Sequence, residues 1–304
     1  MVKVFRLSLI LIALVLSACT GRNYLVVEKT NFTDQIDQLQ NLEFTFNKEV
    51  APDSLIDVWD SVAYITFEPE MSGKFKWSNR STLIFSPSGP FAPNTDYKAK
   101  FTNLITALSQ KVLRFKDPEM RFHTPYLEIQ NTYAYWSRNE SFNQQVELRV
   151  RIIFNYPVDQ DDLKKYISLK VDGKPAEFRL PVSELSNEAE LAVAINTEKE
   201  KISTIEVLMS EGMKAIGSLR TNKEPITVEV PVPAIDKLEI TDVTTGFEEG
   251  QGVISIFTSQ PVVAKDLEKN ISIAPFVEFQ TTVISNGFVI KGTFGDGQTY
   301  SLTL

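Results

Sequence analysis

Few residues in this 304-residue chain could do covalent or acid–base chemistry. There is one cysteine, Cys19, and one histidine, His123. A single thiol admits no intrachain disulfide, whatever the redox compartment. One histidine supplies neither a paired-histidine metal centre nor a serine–histidine–aspartate set as these are usually built. His123 stands in "MRFHTP", at the end of an apparent strand, and reads as a strand-end residue. Asp161-Asp162 is an acidic pair without the Asp spacing of a calcium loop, and one of the two reads as a helix cap. The glycines of "GTFGDG" (292–297) lack the strand–helix setting of a phosphate loop and read as a turn. Glu248-Glu249, beside Gly250, reads as an exposed loop. The expectation is a chain with no metal, no cofactor and no assembled nucleophile–base pair, and so not an enzyme.

Cys19 is set apart by what precedes it. Lys3 and Arg6 form a basic head, and Leu7–Leu16 is an almost unbroken apolar run. That run is about half of the roughly twenty residues a membrane-spanning helix needs, so it reads as a secretory signal, residues 1–18. It ends in Leu16-Ser17-Ala18-Cys19, which resembles the bacterial lipobox, with Leu16, Ser17 and Ala18 as signal-peptidase recognition residues and Cys19 as the lipidated thiol. Cleavage there removes Lys3 and Arg6 and takes the formal charge from −8 to −10. So acidic a chain repels nucleic acid and gains nothing from anionic headgroups. Its expected partner is the lipid bilayer, reached through the acyl chains on Cys19. Thr20 follows the cysteine with no Asp to signal inner-membrane retention, which points to a periplasm-facing outer-membrane lipoprotein. Residues 19–36 read as a tether.

The elements that position everything else are strands. Alternating runs recur at Leu42–Phe46, Thr82–Phe85, Tyr97–Phe101, Val146–Phe154, Ile226–Val230 and Val253–Phe257, rich in the types that fit a pleated, half-buried surface. Asp172-Gly173 and Asn286-Gly287 stand between alternating flanks as hairpin turns. The helical candidates are single turns such as Asp162–Tyr166. The fold class is all-β.

Residues 157–169, "PVDQDDLKKYISL", and 261–273, "PVVAKDLEKNISI", agree at seven of thirteen positions and lie 104 residues apart. A first copy runs from Phe46 and Val50 through Leu55 to Ile65-Thr66-Phe67-Glu68-Pro69, which matches Ile271-Ser272-Ile273-Ala274-Pro275. Each copy reads as a strand end, one capped helical turn whose Leu enters the core, and the next strand. This period is too long for a solenoid and suits one immunoglobulin-sized β-sandwich per copy. Three tandem modules are expected, at 37–125, 126–232 and 233–304, with proline-punctuated linkers at 123–130 and 230–236. "TYSLTL" (299–304) corresponds to the earlier of two successive strands in the first two modules. The third module is therefore expected to lack its closing strand, and the chain to be a fragment or an early-terminated product.

The stretch "GKFKWSNRSTLIFSPSGPFAPNTDY" carries Phe75-x-Trp77, Leu83-x-Phe85-x-Pro87 and Phe91-x-Pro93-x-Thr95-x-Tyr97, and Thr299-Tyr300-x-Leu302-x-Leu304 echoes its close. This resembles bacterial Ig-like modules, including those at the N-terminus of bacterial alpha-2-macroglobulin-like lipoproteins. The resemblance implies the anchored N-terminal scaffold of a protease trap, with target proteases engaged through downstream domains of a larger parent chain. The family's thioester needs a cysteine close to a glutamine, and Cys19 is the only cysteine. Trapping chemistry is thus expected downstream of Leu304 or not at all. Two other functions are open: a surface lipoprotein that binds glycans through its β-sandwich modules, and a structural or adhesive stalk.

Tyr133, Tyr135 and Trp136 cluster in "NTYAYWSRNESF" as a contact surface, either a platform for a sugar ring or, the favoured reading, an interdomain joint. Trp77 reads as core. Asp53-Ser54-Leu55 and Asp60-Ser61-Val62 resemble an O-glycosylation pattern of some Gram-negative periplasmic proteins.

Overall fold

Alternation in a strand places every second side chain on one face, and in this chain that face closes on a second sheet. A computed structural model describes residues 23–138, 146–181, 185–195, 202–265, 267–295 and 297–304. The signal, the lipobox and Cys19 lie outside these residues. The regular structure of the described chain is mainly strands, and the chain divides into two compact units. One comprises residues up to Tyr126 together with 217–220, the other the remainder.

The first module contains β1 (Tyr24–Leu25), β2 (Val27–Thr30), β3 (Leu42–Phe46), β4 (Trp59–Asp60), β5 (Ile65–Glu68), β6 (Gly73–Asn79), β7 (Thr82–Pro87), β8 (Asp96–Phe101), β9 (Arg114–Phe115) and β10 (Glu119–His123). Its sheets run β2-β3-β7-β6-β4 and β10-β8-β5, with β1 paired in parallel to β9. Inner faces meet through aromatic rings: Phe44 lies edge-on to Phe101 at 5.4 Å, and Phe67 lies against Phe85 at 4.5 Å. Trp77 is buried here, as its alternation with Phe75 suggests. Residues 24–36 correct one expectation. They are not a tether, because β1 and β2 already pair with β9 and β3, and Ile36 is buried in the core.

The second module contains β11 (Ile129–Arg138), β12 (Val146–Asp159), the helix α1 (Gln160–Tyr166), β13 (Ile167–Val171), β14 (Lys174–Ala176), β15 (Phe178–Arg179), β16 (Leu185–Val193), β17 (Thr204–Met209) and β18 (Ile226–Pro231). Its two sheets run β11-β12-β16-β15 and β14-β13-β17-β18. Leu163 drops from α1 into the core. The cap, however, is Asp159, whose carboxylate accepts the Asp161 N–H at 3.0 Å; Asp161 and Asp162 occupy the first turn instead. In the first module the equivalent turn, Asp53–Leu55, has no side-chain cap, and Asp53 pairs with Arg80.

The third module contains β19 (Ile240–Glu248), β20 (Gln251–Thr258), β21 (Ser272–Ala274), β22 (Phe279–Ile284), β23 (Gly287–Gly292) and β24 (Ser301–Thr303). Its first sheet, β19-β20-β23-β22, repeats the order of the second module's first sheet, but its second sheet is only β21-β24 among the described residues. Among the described residues the strand that pairs beyond β8 and β17 in the other modules has no counterpart there. The Asp172-Gly173 hairpin forms as expected, both residues having positive φ. The other hairpin is shifted by one residue: Ser285-Asn286 makes the turn, and Gly287 is already paired with Ile284. A Cβ on Gly287 would stand 1.9 Å from the Ile256 carbonyl oxygen, so the glycine serves close strand approach.

Candidate functional site: the joint of the second and third modules

The strand β11 carries Tyr133, Tyr135 and Trp136 on alternating faces. Trp136, opposite Leu148, points into the second module's core and is 5% exposed. Its indole Nε1 donates to the Pro233 carbonyl at 2.8 Å, and its backbone N–H donates to the Ser259 carbonyl at 2.8 Å. Ser259 is buried at the end of β20. Its hydroxyl donates to the Lys237 carbonyl at 3.0 Å and accepts the Glu239 N–H at 2.8 Å. Gln260 reaches the Ile235 carbonyl at 2.5 Å. The 233–239 segment is thereby held on both sides, by Trp136 from the second module and by Ser259-Gln260 from the third. Such satisfaction of carbonyls in a linker is what an ordered joint requires.

Tyr135 lies on the opposite face of β11, in a charged layer that alternation along β12 and β16 creates. Glu147, Arg149 and Arg151 project from β12, Glu188 and Glu190 from β16, with Arg151 directly opposite Glu190. The Tyr135 hydroxyl donates to Glu190 at 2.5 Å. Arg149 bonds Glu147 at 2.9 Å and Glu190 at 3.1 Å, and Arg179 reaches Glu147 at 2.6 Å. Arg151 lies 3.6 Å from Glu188 and covers the Phe257 ring of β20 at 4.2 Å. Burial, and secondarily the Glu190 charge, hold the Tyr135 hydroxyl well above the usual tyrosine range. Tyr133 is likewise raised, by burial and by Asp242 of β19. A charged layer with an arginine over an aromatic ring fixes orientation through directional contacts.

The three aromatic residues of the sequence reading are therefore neighbours on one strand, but they do not form one flat surface. Tyr135 is fully buried and Trp136 nearly so, and neither ring offers a free face for a sugar. Sequence reasoning missed Ser259, Phe257 and the charged layer. The Glu-x-Arg-x-Arg alternation of 147–151 was its visible signal. Elsewhere, His123 ends β10, donates from Nδ1 to the Thr124 carbonyl at 2.9 Å and stacks on Tyr126 at 4.3 Å. Glu248 ends β19, and Lys291 meets it at 2.7 Å, while Glu249-Gly250 form the turn. Gly292 ends β23, and Gly295 donates its N–H to the Tyr300 hydroxyl at 2.7 Å. Among the described residues no group of three or more His, Cys, Asp or Glu could hold a metal ion, and no helix is long and apolar enough to cross a membrane.

Residues 25–124 match the bacterial Ig-like domain family. Alpha-2-macroglobulin of Pasteurella multocida (strain Pm70) is 22% identical, over 90% of this chain and 16% of that protein. An alpha-2-macroglobulin homolog of Yersinia pestis is 24% identical, over 78% of this chain and 12% of that one. The chain thus spans a small part of the length of the curated relatives it matches. A solved structure of native alpha-2-macroglobulin from Escherichia coli, spanning domains MG0-NIE-MG1, aligns at 12% identity and a TM-score of 0.24, covering 94% of this chain and 98% of that one. Over most of its length this chain is similar, at low identity, to bacterial alpha-2-macroglobulins, and its first module matches the bacterial Ig-like domain family.

Proposed function

We propose that the chain is the membrane-anchored scaffold of a bacterial alpha-2-macroglobulin-like protease inhibitor, held by acylated Cys19 to the periplasmic side of the outer membrane. The observation that carries this reading is similarity to two curated alpha-2-macroglobulins over most of the chain. The hydrogen-bonded joint supports it, since a scaffold must transmit position from its anchor without folding back. In this reading the chain is not an enzyme, and proteases are engaged by other parts of a parent protein.

Two experiments test it. Cys19→Ala is expected to abolish labelling by palmitate and release the chain from membranes washed with carbonate; retention of the variant would refute the anchor. The chain of residues 19–304, incubated with active proteases, is expected to form no adduct that survives SDS. A protease-dependent adduct would refute the division of labour, because it would require chemistry within these residues.

A further inference from the structure

The chain between the Asp53–Leu55 turn and β5 runs along the outer edge of β6: Ile56 bridges Trp77, and β4 pairs Trp59 and Asp60 with Lys76 and Phe75. This is the edge of the five-stranded sheet, closed by a strand of only two residues. Three large apolar residues crowd it in the open, Val58 at 49%, Trp59 at 45% and Val62 at 41% exposure. Edges with unpaired backbone and apolar side chains are sites of unwanted pairing and need a cover.

The two Asp-Ser-aliphatic tripeptides flank this run, and they are the only Asp-Ser pairs in the chain. In both, the aspartate is engaged and the serine presented. Asp53 takes two bonds from Arg80, at 2.7 and 2.6 Å. Asp60 accepts the Val62 N–H at 2.9 Å and the Tyr64 hydroxyl at 3.3 Å, folding a tight turn around Ser61. Ser54 and Ser61 are both exposed, and neither hydroxyl bonds a described residue. Trp59, whose ring lies 5.2 Å from the Lys76 ammonium, offers an exposed indole between them. Such a surface takes the C–H face of a pyranose.

We propose that Ser54 and Ser61 are O-glycosylation sites whose glycans cover the Val58–Val62 edge of the first module. The donor is a saccharide on a polyprenyl pyrophosphate, brought by a transferase of the cell envelope. Serine Oγ bonds to the anomeric carbon, the bond from that carbon to the phosphate oxygen breaks, the hydroxyl proton passes to a base of the transferase, and polyprenyl pyrophosphate leaves. This rests on the envelope location proposed above.

The test is the mass of the chain isolated from the cells that make it, with envelope and cytoplasm separated. Trypsin cleavage after Lys48 and Lys74 yields one segment, 49–74, that carries both serines. It is expected to show two saccharide increments, removed by alkaline β-elimination. Ser54→Ala and Ser61→Ala should each delete one, with unchanged circular dichroism. A segment of bare polypeptide mass from the envelope fraction overturns the glycans and leaves the location standing. An increment that survives the double alanine variant overturns the assignment to these serines. A chain found only in the cytoplasm and unmodified overturns the location and this proposal together.

Discussion

In the second module, β17 is paired on both sides, by β13 and by β18. In the third, its counterpart β24 pairs with β21 alone. The consequence reaches the opposite sheet. In the second module β18 also lies against β11, whose inward residues Ala134 and Trp136 are buried. In the third, Val243 and Phe247 stand opposite Ile256 and Gly252 and so share their face, yet they are 50% and 71% exposed. The third core is correspondingly small, with Ile256, Ile271, Ile273, Val277, Phe288 and Ile290 buried. The alternation of the two first strands is alike; what differs is whether a strand covers it. Burial is thus a property of the pair of sheets, and a periodic strand is only half of the specification.

The sharpest way to break this comparison is to truncate an aromatic residue on each of the two faces. Trp136→Ala is expected to cost about 3–5 kcal/mol, the range for a buried aromatic, with a matching drop in the denaturant midpoint of the second module. Phe247→Ala should change stability by no more than about 0.5 kcal/mol, as exposed substitutions do. Equal costs would mean that the third module's face is covered after all.

A smaller effect is expected within the charged layer. Glu190→Ala leaves the buried Tyr135 hydroxyl without its acceptor and removes one carboxylate from Arg149, at a cost of about 1–3 kcal/mol by urea unfolding. Titration gives a further signature. The Tyr135 value is raised on folding, by burial first and Glu190 second, so its contribution is present at neutral pH. It is lost as pH rises above the free tyrosine value of about 10. The second module should therefore weaken steeply above that pH, and Tyr135→Phe should flatten the decline. The smallest change is expected for Lys170→Ala, which removes an exposed cross-strand pair with Glu206 at 2.8 Å and should cost at most about 1 kcal/mol.

Much of the fold was legible because it is written locally. Alternation at Leu42–Phe46 and Val146–Phe154, the Asp172-Gly173 turn and the repeated proline-to-leucine segment each specify a structure within a few residues. The repeat also marks β24 as the counterpart of β8 and β17, because the same order of strands can be followed along the chain. The illegible parts depend on distant neighbours. Residues 24–36 look polar and tether-like, and they become strands only because Arg114–Phe115 and Leu42–Phe46 supply partners. Asp159 outcompetes Asp161 and Asp162 as the cap because β12 runs five residues past Phe154, with Tyr156 and Val158 continuing the buried alternation and Val158 and Asp159 paired with β16. Within the candidate site, the aromatic cluster stood out by composition, whereas Ser259 is an ordinary serine until the Trp136 N–H is seen to end on its carbonyl.

Native-state hydrogen exchange, resolved by strand, tests the central contrast most directly. Amides in β13, β17 and β18 should exchange slowly, through opening of the whole second module, while those in β21 and β24 exchange quickly through local opening of an under-covered sheet. Protection of β21 and β24 equal to that of β13 and β17 would contradict the account, since it would show that two strands suffice where the second module uses four.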